Sequence, residues 1–440
     1  MKIFFSAGEP SGDLHGANLV RQLRAQRSDV ECVGYGGPLM AAAGCELHAD
    51  LTALAVMFLL RAILHLPEFL ALAGRADRYF RHHRPDAVVL IDYPGFNWWI
   101  AKRAKAHGIP VYYFAPPQIW AWAQHRVKKM RRLVDHVLCG LAFEAEWFRA
   151  HGCNATLVGH PFFDEVRRQQ LDQNFLSEAR ARHPGRRLVA ILPGSRTQEV
   201  TNNLEQFLKA AAIVRARVPD VWFAVAAFKS QHAEFARQRI AESGLPIEVC
   251  VGRTPELIHL SECCMAVSGS VSLELLFQKK PTVIQYRIGR IGFQLQKAFR
   301  KSKYITLVNL LAAKDPLGSA TGSKSAATAD RPLFPEFLSC EDCSLAVAAQ
   351  LIRWLLDAEQ REGLVAELAK LKARVAHGGA TQAAAAYILK TLVRPIAPPR
   401  PHFQPGMAVA SSGGAEAATA GSESPAQSST APAADMPRAA

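Results

Sequence analysis

Lys2-Ile3-Phe4-Phe5-Ser6-Ala7-Gly8-Glu9-Pro10-Ser11-Gly12-Asp13 opens the chain. The apolar run Lys2–Ser6 empties into small and acidic residues, and an amphipathic stretch begins near Leu14. That pattern is a strand passing through a glycine-bearing turn into a helix, the first step of a doubly wound parallel sheet. Gly8 and Gly12 let backbone N–H groups approach a ligand, and the start of a helix favours negative charge. The turn is neither G-x-G-x-x-G nor a P-loop, because no Lys-Ser/Thr follows at the required spacing, which weighs against a dehydrogenase or an ATPase. Two readings of Glu9, Ser11 and Asp13 stay open: ligand contacts at the turn, or a tight βα turn in which Ser11 or Asp13 caps the helix.

The alternation continues outward from this stretch. Further strands are expected at Glu31–Gly34, Ala87–Asp92, Val111–Ala115, His136–Gly140 and Thr156–Val158, each followed by amphipathic sequence. A charged, Gln-rich stretch from Arg167 to Arg187 interrupts the pattern. It restarts with Leu188–Leu192, Val221–Ala226, Ile247–Val251, Met265–Val267, Thr282–Tyr286 and Ile305–Val308. The fold class is therefore α/β, with two doubly wound Rossmann-like domains facing a central cleft, where ligands bind at the carboxyl ends of the strands. Residues 1–165 form the first domain and 166–375 the second. A C-terminal helix is expected over 376–396, and the Pro-, Ala-, Ser- and Gly-rich residues 397–440 read as a disordered tail. Lys314–Pro332, polar and small, reads as a surface insertion.

Composition narrows the partners. A net charge of +14 calls for a polyanionic partner or surface, such as phosphorylated substrates, anionic lipid or nucleic acid. No signal peptide is read at the N-terminus. The longest apolar run, Ala53–Leu60, falls far short of the roughly 20 residues that span a bilayer. A cytoplasmic location is expected. The 9 cysteines have no framework spacing, and Cys340 and Cys343 lack a second ligand pair for zinc, so reduced thiols are expected.

Several residues stand where chemistry could occur. Asp92 ends its strand and precedes Tyr93-Pro94-Gly95-Phe96-Asn97, so its carboxylate either takes a proton from an attacking hydroxyl or caps the next helix. Ser195 and Arg196 follow Pro193-Gly194 at the exit of another strand, where a guanidinium can clamp a diphosphate. Ser268-Gly269-Ser270 lets the chain approach a phosphate, and Glu274, one turn into a helix, either accepts from ribose hydroxyls or is simply exposed. Trp120 and Trp122 precede a basic run containing Arg126, Lys128, Lys129, Arg131 and Arg132. That run suits an interfacial surface or a phosphorylated acceptor, or is merely a solvated face; no nucleic-acid motif accompanies it. Leu54–Leu72, with Phe58 and Leu59, is either a core helix pair or an apolar face that dips into lipid.

Together these motifs resemble the lipid-A-disaccharide synthase family from Lys2 to Leu392. The carriers are Gly8–Asp13, Gly36-Gly37-Pro38 with Gly44-Cys45, Leu54–Met57, Ile91–Pro94, Pro117–Trp122, Val158–Pro161, Leu192–Arg196, Ser268–Glu274, Tyr286-Arg287 and Asn309–Ala312. The resemblance implies a GT-B glycosyltransferase that joins UDP-2,3-diacylglucosamine to the 6-hydroxyl of 2,3-diacylglucosamine 1-phosphate (lipid X) with inversion. It implies no cofactor and no metal. By position, Asp92 is the expected general base, and Arg196 and Glu274 contact UDP. Arg287 and Asn309 would line the donor side. Peripheral association with the anionic inner-membrane surface and a homodimer are implied as well. Gly95 departs from the family's usual acidic residue, and Ala123 from its usual Arg. The same architecture serves UDP-GlcNAc epimerases and the transferase that makes peptidoglycan's lipid intermediate. A catalytically idle binding module is the reading from a different class.

Overall fold

Two all-parallel sheets carry the chain, which is described here from a computed structural model covering residues 1–56, 66–318 and 331–393. The first sheet contains β1 (Lys2–Ala7), β2 (Glu31–Gly36), β3 (Glu46–Asp50), β4 (Ala87–Ile91), β5 (Val111–Phe114), β6 (His136–Cys139) and β7 (Ala155–Leu157), in the order β3-β2-β1-β4-β5-β6-β7. The second contains β8 (Arg187–Leu192), β9 (Val221–Ala227), β10 (Ile247–Val251), β11 (Ser261–Ala266), β12 (Thr282–Arg287) and β13 (Glu336–Ser339), in the order β10-β9-β8-β11-β12-β13. In each sheet the strand order reverses beside the first strand of the half. That switch point lies between β1 and β4 in one half and between β8 and β11 in the other, and crevices form at such points.

The central strands are apolar on both faces, as sheets covered by helices on each side require. Ile3, Phe4 and Phe5 are fully buried, as are Val88, Val89 and Leu90. Register pairs Ser6 with Leu90 and Ala7 with Ile91, which sets the exits of β1 and β4 side by side. The helix after β1 begins at Pro10, earlier than the Leu14 expected, because a proline at the first helical position loses no hydrogen bond. β3 and β13 escaped the sequence reading; Glu46–Asp50 and Glu336–Ser339 are short edge strands with half-buried, polar sequence. Ile305–Val308, expected as a strand, instead leads into the helix Leu307–Ala312.

The chain returns to its first half at the end. Ala384, Ala385 and Ile388 of the helix Ala380–Val393 are buried in one cluster with Ile3, Phe5 and Val89. Asp164 fixes that return: its carboxylate accepts from the backbone N–H of Gly379 at 2.6 Å and of Thr381 at 2.9 Å, and from the Thr381 hydroxyl at 2.8 Å. A second crossing runs through residues 301–312, where Lys301 N–H donates to the Ala121 carbonyl at 2.7 Å. Leu310 is buried in the core of the first half, and Leu307 and Leu311 touch both cores. Phe58, Leu59, most of the 314–332 insertion and the 397–440 tail lie outside the described residues.

Candidate active site

Asp92 and Tyr93 leave β4 with φ of 44° and 46°, so two consecutive non-glycine residues hold left-handed backbone. Such conformations cost of order 1–3 kcal/mol each and persist only when the surroundings enforce them. Here the enforcement is visible. The Asp92 carbonyl accepts from Asn97 Nδ2 at 2.7 Å and from the Tyr113 hydroxyl at 2.6 Å. Asn97, fully buried, also donates to the Ser6 and Ile91 carbonyls at 3.2 Å and accepts from Ser6 Oγ at 2.6 Å. The main chain of β1, the exit of β4 and the helix Pro94–Ala106 are thereby one hydrogen-bonded unit, leaving the Asp92 carboxylate free of a capping role.

Its environment makes that carboxylate a stronger base than usual. Burial raises the Asp92 pKa to about 6; Glu9 adds to the rise, while the Tyr93 N–H and the Arg196 guanidinium oppose it. Arg196 belongs to the other half, so the second sheet's loop acts on Asp92 across the cleft. Tyr93 packs its ring over Gly8, where a Cβ would come within 2.3 Å of Tyr93 Cδ1. The glycine at the β1 exit therefore makes room for the strained turn that presents Asp92.

The other residues of the 8–13 turn divide. Glu9 faces Asp92, Ser11 is exposed, and Gly12 packs its helix onto Ile91. Asp13 is buried and is neither a ligand contact nor the cap of its own helix. Its carboxylate accepts from the N–H groups of Gly37 at 2.9 Å, Leu39 at 3.0 Å and Met40 at 3.0 Å, capping the short helix Pro38–Ala42.

In the second half, Arg196 stands at the N-cap of the helix Thr197–Arg217 with an exposed side chain, held by Glu199 Oε1 at 3.4 Å. Ser195 N–H and Arg196 N–H both donate to Glu199 Oε2, at 3.2 and 3.3 Å. Glu199, which the sequence reading passed over, thus shapes the loop. Glu274 lies in the helix Val271–Phe277 with only 6% exposure, and its Oε1 accepts from Gln278 Nε2 at 3.5 Å. Burial raises its pKa to about 7. Gly269 and Ser270 are exposed at the start of that helix, and no atom lies within 4 Å of a Cβ placed on Gly269. Ser268 spends its hydroxyl on the Ile305 carbonyl at 2.7 Å.

Asn309 and Trp120 do something other than expected. Asn309 donates both amide protons within the protein, to the Phe334 carbonyl and Glu336 Oε1, each at 2.7 Å, and accepts from Phe334 N–H at 2.9 Å. It brackets β13 against its own helix and does not offer its amide to a donor. Arg287 donates its backbone N–H to Asn203 Oδ1 at 2.7 Å at the end of β12, with its side chain half-buried. Trp120 is fully buried, its Nε1–H donating to Glu144 Oε1 at 3.0 Å, so it is core and not a lipid-facing ring. Trp122, 52% exposed, lies under the Arg126 guanidinium at 4.9 Å and remains a surface group.

Two doubly wound sheets, with the Asp92 carboxylate on one rim and an arginine loop plus a buried carboxylate on the other, give a two-domain Rossmann-type architecture. Solved structures share this fold. The chain matches a UDP-GlcNAc 2-epimerase from Neisseria meningitidis bound to UDP-GlcNAc with a TM-score of 0.61 at 10% identity, covering 89% of this chain and 100% of that one. A glycosyltransferase from Rickettsia africae matches with a TM-score of 0.53 at 9% identity, covering 90% and 98%. Sequence is more specific. Residues 3–330 match the lipid-A-disaccharide synthetase family model. Lipid-A-disaccharide synthase from Alkalilimnicola ehrlichii is 34% identical over 396 residues, spanning 88% of this chain and 98% of the relative. That from Trichlorobacter lovleyi is 33% identical over 388 residues, spanning 88% and 97%. The chain belongs to the lipid-A-disaccharide synthetase family, and it is a glycosyltransferase of lipid A biosynthesis.

Proposed function

We propose that the enzyme transfers 2,3-diacylglucosamine from UDP-2,3-diacylglucosamine to the 6-hydroxyl of 2,3-diacylglucosamine 1-phosphate, with inversion at the donor's anomeric carbon. The observation that carries this reading is Asp92: a carboxylate on a strained, triply anchored turn, raised toward neutrality yet under the field of Arg196 from the opposite half. Asp92 removes the proton as the acceptor oxygen attacks the anomeric carbon and the bond to UDP breaks. Arg196 and the N-terminus of the helix Thr197–Arg217 stabilise the charge arriving on the departing diphosphate. Glu274 accepts from the ribose hydroxyls and fixes the uridine. Ser195, Gly269, Ser270 and Arg287 complete the donor rim.

Both substrates carry acyl chains, so the enzyme works at an anionic membrane face. The helix Arg290–Phe299 supports this association. Ile291, Leu295 and Phe299, spaced four residues apart, are 80%, 53% and 60% exposed on one of its faces, and Arg290, Lys297 and Arg300 border them. A cationic helix with an apolar stripe lies in the headgroup plane. No helix among the described residues is long and apolar enough to cross a membrane.

The direct test is to incubate purified protein with the two substrates and analyse the products. Stoichiometric UDP and a β-1′,6-linked disaccharide 1-phosphate are expected. Release of UDP with free 2,3-diacylglucosamine, or a C2-epimerised sugar, contradicts the reading.

A further inference from the structure

The helix Pro94–Ala106 and the basic segment after Trp122 flank an open cavity of about 570 Å³, lined by Gly95, His125, Arg126, Lys128, Lys129 and Arg132 beside the Trp98 ring. No carboxylate lines it. Lys105, on the same helix, pairs with Asp135 at 2.7 Å, whereas among the described residues none of Arg126, Lys128, Lys129 or Arg132 has an ion-pair partner. Two of these cations are held by rings instead: Arg126 over Trp122 at 4.9 Å and Lys129 over Trp98 at 5.4 Å. Stacking orients a cation without neutralising it. A solvated basic helix spreads its charges outward, but these converge on one concavity and repel. Lys129 sits below its ordinary amine value, first through burial and then through Arg126, Arg132 and Lys102.

The cavity is also close to the chemistry. Gly95, exposed and without any atom within 4 Å of an added Cβ, forms part of its wall. Three residues separate it from Asp92, and that length of chain reaches at most about 11 Å. On an acceptor pyranose the anomeric carbon and the carbon bearing the 6-hydroxymethyl group flank the ring oxygen, so the two substituents stand about one ring apart. An acceptor whose 6-hydroxyl meets Asp92 therefore projects its anomeric substituent away from the base by a sugar's width.

We infer that this cavity receives the phosphomonoester of the acceptor, so that Arg126, Lys129 and Arg132 select acceptors phosphorylated at the anomeric position. The inference rests on the transferase reading above for the identity of the ligand. The anion site itself does not depend on that reading. Guanidinium and ammonium groups around a dianion give charge-assisted hydrogen bonds, each sufficient for roughly ten-fold in affinity.

The test uses the whole enzyme and the variant Lys129→Gln/Arg132→Gln, both exposed enough at the cavity wall to be replaced by a neutral isostere. In mixed micelles, the wild type is assayed with 2,3-diacylglucosamine 1-phosphate and with its dephosphorylated counterpart. The wild type is expected to prefer the phosphorylated acceptor, and the variant to lose at least about ten-fold of that preference, through KM and not kcat. Calorimetric titration with α-glucosamine 1-phosphate, a soluble phosphomonoester, should detect binding to the wild type and not to the variant. Binding to phosphatidylglycerol vesicles should be the same for both, which separates the acceptor's phosphate from a bilayer headgroup. Equal loss on both acceptors, unchanged preference, or weakened vesicle binding with intact preference overturns the proposal. If the wild type turns over neither acceptor, the transferase reading fails, and the titration alone then decides whether the anion site exists.

Discussion

Among the described residues Asp92 and Tyr93 are the only two consecutive non-glycine residues at positive φ, and Asp92 combines that turn with a pKa of about 6; the two have separate causes. Backbone anchoring by Asn97 and Tyr113 fixes where the carboxylate points, while burial sets how strongly it holds a proton. A base must be ionised to act, so kcat/KM should fall on the acid side with an apparent pKa near 6, and a profile flat down to pH 5 contradicts the assignment. Glu274, raised to about 7 by burial, predicts a second pH effect in binding. Only its ionised form accepts from both ribose hydroxyls, so UDP affinity should strengthen as pH rises through neutrality. Glu274→Gln should bind UDP more weakly and with no such slope; an unchanged dissociation constant would remove Glu274 from the site. The strand exits that carry Asp92, Arg196 and Glu274 were legible in the alternation. The left-handed Asp92-Tyr93 turn was not, since Asp tolerates positive φ without requiring it and Tyr gives no such signal. Trp120 was misread because a tryptophan beside a basic run looks interfacial, and its partner Glu144 lies a further helix along the chain.

At the level of elements, carboxylates from distant strands and helices decide where helices begin. Glu336 accepts from Ile305 N–H and Thr306 N–H, each at 2.9 Å. That capping turns a β-branched stretch into the lead of the helix Leu307–Ala312, against its local preference. Asp13 caps Pro38–Ala42 in the same manner, and Asp164 caps Ala380–Val393. None of the three has a sequence signature, because donor and acceptor are separated by tens to hundreds of residues. Removing the Asp164 carboxylate strands the N–H groups of Gly379, Ala380 and Thr381 at a buried helix start. Asp164→Ala should cost about 2–4 kcal/mol by the usual penalty for unmade charged hydrogen bonds, seen as a lower unfolding midpoint in urea. It should also open the segment after Val375 to limited proteolysis. A midpoint equal to the wild type would mean that apolar packing of Ala384, Ala385 and Ile388 alone seats the last helix.

At the scale of the molecule, the two sheets are joined by crossings that repeat in both directions. The helix Ala380–Val393 returns to the first core, and residues 301–312 reach from the second half onto Ala121. The doubly wound halves could be read from strand periodicity, as could the last helix; that it packs on the opposite half could not, because periodicity marks a buried face without naming its neighbour. Part of the charge of +14 lines the Gly95–Arg132 cavity, whose wall includes Gly95, three positions after Asp92. In the mechanism proposed, the front half supplies the base and the back half holds UDP, each without the other's function. The most direct measurement takes Asp92→Ala and determines the turnover number and the UDP dissociation constant on the same preparation. A fall in kcat of about 10²–10⁴-fold with UDP affinity unchanged is the predicted result. Turnover near that of the wild type, or loss of UDP binding together with turnover, would contradict a division of labour between the two halves.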